Sequence, residues 1–72
     1  MVAMYLWKIE VILKSGKELT VYDKNEFKSS NNVAEKFMAG NQNEVVGFGN
    51  KDGTANILVR KNEIAAMTIS VG

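Results

Sequence analysis

The sequence predicts a mainly β domain of the α+β class, built on a small, strongly bent sheet or a small barrel. Several short segments alternate apolar and polar residues and are separated by glycine-containing turns, which is typical of antiparallel strands. One further segment has helical spacing and is about two turns long. Because 72 residues leave room for one domain only, we assign residues 1–72 to it.

The first two strands are predicted to form a hairpin. Apolar residues alternate with polar ones from Tyr5 to Leu13, with Trp7, Ile9 and Val11 on the core-facing side. Residues 15–17 read as a tight turn because Gly16 supplies a positive φ. Residues 18–22 return as the second strand, with Leu19 and Val21 facing the core.

A polar stretch without periodicity, residues 23–32, predicts a loop that leads into a short helix near residues 31–39. Residues 29–32 are good helix N-caps, and Val33 and Phe37 share one helical face. Gly40 is a plausible C-terminal stop. A helix this short does not persist alone in water, so Phe37 is expected to pack on the sheet.

Three more strands are predicted after the helix, which gives the order ββαβββ. They cover residues 44–48, 54–60 and 64–71, with turns at residues 50–53 and 61–63. Gly47 and Gly49 are expected to mark a bulge or a sharp bend. Five short strands and one helix suit a strongly bent sheet or an SH3-like or Sm-like barrel. An open sheet with the helix on one face is the alternative.

The residue types argue against catalysis. The chain has no histidine and no cysteine, so the commonest general base and the commonest soft nucleophile are missing. The remaining carboxylates of interest lie in predicted loops, where we expect them to be solvated: Asp23, Glu26, Asp52 and Glu63. The usual zinc ligand sets cannot be assembled either. We therefore predict no enzyme, no catalytic residue, no metal site and no cofactor.

Composition also bounds the partners and the compartment. The net charge is +1 with both signs interspersed, which gives no electrostatic reason to favour nucleic acid, a membrane or an acidic partner. No apolar run approaches the roughly 20 residues that cross a bilayer. The first residues lack a basic segment and a small-residue cleavage site, so we expect no signal peptide. The absence of cysteine fits a reducing cytoplasm.

Two kinds of contact surface are predicted. Tyr22 lies on the face opposite Leu19 and Val21, where an exposed ring could stack on a planar group. Basic residues at the hairpin ends could gather on one rim and meet phosphate, although acidic neighbours make solvated turns the favoured interpretation. The candidate residues for ligand or nucleic-acid contact are Tyr22, Lys51, Arg60 and Lys61.

The second predicted surface is for self-association. Apolar residues lie on both sides of the first strand, and in the last strand the two even-numbered residues Ile64 and Ala66 are expected opposite the odd-numbered ones. Strands that are apolar on both sides are either covered twice or lie at an interface, and one short helix cannot cover both. The candidate residues are Leu6, Ile12, Ile64, Ala66, Met67, Ile69 and Val71.

Two segments resemble the Sm-like family. Residues 58–64 (LVRKNEI) are similar to its second signature, in which an apolar pair precedes Arg-Gly, with Lys61 here in place of the glycine. Residues 11–21 (VILKSGKELTV) are similar to the opening of its first signature. The resemblance implies a ring-forming, RNA-binding barrel in which Arg60 lines the base pocket.

Across most of its length, the chain also resembles short uncharacterised proteins of Gram-positive phages and prophages. The segments that carry this similarity are MYLWKIEVILKSGK at the start and NILVRKNEIAAMTIS near the end. It implies an accessory role, such as sequestering a host component. The sequence therefore favours a non-enzymatic, self-associating binding module with a host protein or small ligand as further partner. An Sm-like nucleic-acid-binding barrel is the alternative.

Overall fold

The computed structural model of the chain describes residues 3–72; the first two residues of the predicted domain lie outside them. The described part consists of one helix, one short 3-10 turn and strands that follow the predicted order. Their bounds are β1 Tyr5–Leu13, β2 Glu18–Asn25, α1 Ser30–Met38, β3 Val45–Gly49, β4 Asn56–Arg60, the 3-10 turn Lys61–Glu63 and β5 Ile64–Val71.

All five strands lie in one antiparallel sheet with the order β4-β3-β2-β1-β5. The prediction of a mainly β domain with one short helix is thereby confirmed. Because β4 and β5 each have a single neighbour, the described sheet has two edges, and no ladder joins β4 to β5. The pairing between β2 and β3 in the middle of the sheet is short, because it consists of the single pair Tyr22 and Gly49.

The short connection from β4 to β5 shows that the sheet is strongly bent. These two strands are the opposite edges of the sheet. In a flat sheet of five strands, the two edge strands would lie about 19 Å apart. Only Lys61–Glu63 connects them, and a 3-10 turn advances about 2 Å per residue. The Lys61 N–H donates to the Glu44 carbonyl at 3.0 Å, and the Lys14 N–H donates to the Glu63 carbonyl at 2.8 Å. The turn therefore bridges the β3–β4 hairpin and the end of β1, and the edges approach each other there.

The β1–β2 hairpin extends further than the polarity of the chain suggests. The predicted loop at residues 23–32 was wrong at both ends, because β2 continues to Asn25 and α1 begins at Ser30. The additional residues pair with the start of β1, with Trp7 opposite Asp23 and Tyr5 opposite Asn25. Ladder hydrogen bonds to a strand already in place outweigh the low strand propensity of Asp, Lys and Asn.

The helix lies within one residue of its predicted position. The Ser29 side chain caps it by accepting from the Asn31 N–H at 3.2 Å. Val33 and Phe37 are its buried residues, as the spacing predicts, and Gly40 follows with φ at +88°. Phe37 packs on Phe48 of β3 with the ring centroids 4.8 Å apart, which fixes the helix to the inner face of the sheet.

The last strand departs from strict alternation. Its register with β1 shifts between Ile12 and Leu13, so that Ile12 faces Ala66 and Leu13 faces Ile64. This irregularity places Ile64 on the core side, where it packs against the buried cluster. The prediction that Ile64 lies opposite Met67 was therefore wrong.

The glycines of β3 do not form a bulge, which was one of the two alternatives predicted for them. Pairing with β4 runs without a break from Val45 to Gly49, and neither Gly47 nor Gly49 has a positive φ. β4 begins at Asn56, two residues later than predicted. The preceding Thr54 is held in the turn because its N–H donates to the Asn50 side chain at 2.8 Å.

The core lies between the inner face of the bent sheet and α1. It contains Trp7, Ile9, Val11, Val21, Val33, Phe37, Val46, Phe48 and Val59. The Trp7 indole N–H donates to the Phe27 carbonyl at 3.1 Å, so its polar group is satisfied within the fold.

Candidate functional site

The first candidate surface is a groove between α1 and β5, which we call the seam groove. It has a volume of about 200 Å³ and is mainly apolar. Small-molecule pockets usually measure about 300–1,000 Å³, so the groove suits an apolar side chain better than a whole ligand. Its lining comprises Ala34, Phe37, Met38, Gln42, Lys61, Ile64, Ala65, Ala66, Met67 and Ile69.

The groove adjoins an unprotected sheet edge. β5 pairs with β1 on one side only, and its eight residues include no charged side chain and no proline. Natural edge strands usually carry charges, prolines or bulges that prevent a further strand from pairing. The register shift near Ile64 lies at the beginning of β5, so the stretch from Ala66 to Val71 is regular. Val71 is 79% exposed at its end.

The structure divides the predicted self-association residues between two faces. Ile64, Met67 and Ile69 are half-buried on the core side and line the seam groove. The outer face of β5 carries Ala66, Thr68 and Ser70, so the expectation that both faces of this strand are largely apolar was wrong. Ile12 of β1 is exposed on that outer face beside Ala66, and Leu6 lies further along it.

The second candidate surface is a hollow on the outer face of the sheet, which we call the outer trough. Its volume is about 370 Å³, and its lining is mixed polar and apolar. One row across the sheet joins Lys8, Tyr22, Gly49 and Asn56 as successive partners. Because Gly49 has no side chain, the trough opens between Tyr22 and Asn56. Its lining comprises Leu6, Tyr22, Asp23, Lys24, Gly47, Phe48, Gly49, Asn50, Lys51, Asp52, Gly53 and Asn56.

The three basic residues among the predicted contact residues do not gather on one rim. Tyr22 and Lys51 both line the outer trough. Lys61 points to the other side, where its largely buried side chain donates to the Ala39 carbonyl at the end of α1 and lies 3.7 Å from a Glu44 carboxylate oxygen. Arg60 is exposed on β4 opposite Val45, outside both the seam groove and the outer trough.

Among the acidic residues considered for catalysis, Asp23 makes side-chain contacts that stabilise the fold. An Asp23 carboxylate oxygen accepts from the Lys36 ammonium at 2.9 Å and from the Asn25 side chain at 2.7 Å, and so ties β2 to the helix. Within residues 3–72, no group of acidic residues lies close enough together to hold a metal ion. No helix in the same range has the length and apolar character needed to cross a bilayer.

Two features of these surfaces were not identified from the sequence. The helix contributes Ala34 and Met38 to the seam groove, and their four-residue spacing is the signal that could have indicated a second apolar stripe. The floor of the outer trough comes from Gly47 and Gly49. Their two-residue spacing places both on one face of a strand. A part of the outer face without side chains could therefore have been predicted.

Fold and surfaces together define a small antiparallel β domain with an open edge, an apolar groove beside it and a separate outer trough. Comparison with known proteins adds no relative: no family model, no curated protein and no solved structure matches the chain.

Proposed function

We propose that this protein is a non-enzymatic binding module that associates with further copies of itself through β5 and the adjoining seam groove. The observation that carries the proposal is the charge-free edge strand, eight residues long, beside an apolar groove. Such an edge offers unpaired N–H and C=O groups to another strand of the same kind. The cytoplasm is the proposed compartment, on the strength of the cysteine-free sequence.

A second copy of β5 is a suitable partner because the strand is self-complementary in an antiparallel pair. Around a two-fold axis near Met67 and Thr68, the core-side residues of one copy lie beside core-side residues of the other. The outer face then presents alanine, threonine and serine from both copies, and no charge is buried. Met38, which is 72% exposed at the rim of the groove, supplies further apolar surface for the contact.

Replacing Thr68 by lysine tests the proposal without disturbing the core. Thr68 is exposed and lies opposite Glu10 of β1, so within one copy the new ammonium gains an acidic neighbour. Between two copies it brings like charges together in the middle of the paired edges. We expect the association constant, measured by sedimentation equilibrium, to fall at least about fivefold, which corresponds to roughly 1 kcal/mol.

The matched control is Thr20→Lys. Thr20 is also exposed and also lies opposite Glu10, but on β2, outside the proposed β5 interface. The two variants therefore have the same charge and the same acidic neighbour, and differ in whether the new lysine lies on β5. If the unmodified protein sediments as a particle of 8.0 kDa at high micromolar concentration, or if both variants weaken association equally, the proposal fails.

A further inference from the structure

We infer that the outer trough is a binding site for a nucleotide, with the base stacked on Tyr22 above the glycine floor and the phosphate held by Lys24 and Lys51. This site is on the outer face, away from the seam groove, and does not depend on self-association. The inference starts from two glycines that the fold itself does not require.

Neither glycine of the floor is explained by its backbone or its packing. Both lack a positive φ, so their conformations suit any residue. A Cβ built on Gly49 would lie 3.4 Å from the Tyr22 carbonyl oxygen, and one on Gly47 would lie 3.5 Å from a Leu58 methyl carbon. These are ordinary contact distances. Glycine inside a strand costs about 0.5–1 kcal/mol relative to alanine, and it often marks a bulge, a tight bend or the close approach of a ligand or another backbone. The bulge is absent here, and the ligand is the alternative that we pursue.

The space above the floor fits a planar ring. Gly49 separates Tyr22 and Asn56 across two strand spacings, so their Cα atoms lie about 10 Å apart. Tyr22 is half-buried and lines the trough. Aromatic side chains in such positions stack on nucleobases of any sequence. A trough of about 370 Å³ also has the volume of a small-ligand site.

The charges at the rim favour an anionic group on the ligand. Lys8, Lys36 and Lys61 each lie within 4 Å of a carboxylate, whereas Lys24 and Lys51 form no ion pair within the described part of the chain. The Asp23 carboxylate is engaged by Lys36, which leaves Asp52 as the acidic group of the rim. Two ammonium groups against one carboxylate provide an excess positive charge next to the ring site, which suits phosphate.

NMR titration of the full chain tests this site, because the amide signals of Gly47 and Gly49 report directly on the floor. The probes are AMP, adenosine, inorganic phosphate and a short single-stranded oligothymidylate, each at up to millimolar concentration. We expect AMP to shift the two glycine signals more than adenosine or phosphate does. Saturation by AMP would indicate free nucleotides as the source of the ligand, and saturation by the oligonucleotide alone would indicate a single strand; both support the site.

Two variants and one control make the result specific. Tyr22→Ala should weaken binding about 5- to 100-fold through loss of stacking. Gly49→Val should abolish binding by filling the floor, while the Tm stays the same or rises because valine favours strands. Thr20→Ala, an exposed change on β2 outside the trough, should leave binding unchanged. The inference is overturned if no probe shifts these signals, if phosphate alone acts as strongly as AMP, or if Gly49→Val binds normally.

The two proposals can fail independently. Thr68→Lys, which is designed to weaken association, should bind AMP like the unmodified protein because residue 68 does not line the trough. Conversely, Gly49→Val should sediment like the unmodified protein.

Discussion

Replacing Phe48 by alanine is expected to remove a large part of the protein's stability towards unfolding. Phe48 is 2% exposed and packs on Phe37, so it holds the helix against β3. Truncation of a buried phenylalanine costs about 3–5 kcal/mol because apolar contacts are lost and a cavity remains. At roughly 0.05–0.15 kcal/mol per residue, a chain of this length has about 4–11 kcal/mol in total, so the loss is a large part of it.

Urea unfolding followed by Trp7 fluorescence measures this effect. Leu58→Ala is the control, since Leu58 lies one strand away on the outer face and is 71% exposed. We expect that variant to remain within about 0.5 kcal/mol of the unmodified protein. All samples need the same protein concentration, because self-association would add to the apparent stability. A loss below about 1 kcal/mol for Phe48→Ala would show that the helix and β3 do not share the core described here.

The second large effect is expected for Asn25→Ala, with a loss of about 2 kcal/mol. Asn25 is buried at the end of β2, where its amide oxygen accepts from the Phe27 N–H at 3.0 Å. Its amide nitrogen donates to the Asp23 carboxylate at 2.7 Å. The following carbonyl, that of Phe27, is the acceptor for the Trp7 indole. One buried side chain therefore orients the chain between β2 and α1, and its loss leaves a partly buried N–H without a partner.

The same unfolding experiment checks this prediction, and Trp7 emission adds a local signal. Because Trp7 bonds to Phe27, a displaced connection should expose the indole and shift its emission to the red before global unfolding. Asn32→Ala is the matched control, since Asn32 is exposed in the first turn of α1. Equal stability losses for the two variants would contradict a specific role for Asn25.

The accuracy of the sequence-based predictions follows from the range of the forces involved. The β1–β2 hairpin was predicted correctly in its first part because alternation and Gly16 act locally. The extension of β2 to Asn25 depends on pairing with Tyr5, twenty residues earlier in the chain, which polarity within a short window does not register. The register shift that turns Ile64 inward likewise arises between β1 and β5, which are distant in sequence.

The candidate sites were predictable only in part. Tyr22 and Lys51 were predicted as contact residues, and both line the outer trough. A common rim of Lys51, Arg60 and Lys61 was considered but not favoured. Successive residues at a strand end point to different sides, and Lys61 is drawn to the C-terminal end of α1. Ile69 was expected at a self-association surface and lies in the seam groove, although the helix residues that complete the groove were not foreseen.

By itself, the sequence determined the mainly β class, the element order, the core residues of β1 and the absence of histidine and cysteine chemistry. These properties depend on residue type and on short-range periodicity. Only the tertiary structure decided that the sheet is bent until its edges approach at Lys61–Glu63, and that β5 is an edge beside the seam groove. Strand order and register are set by pairing between distant segments, and surfaces such as the groove and the trough exist only once those pairs have formed.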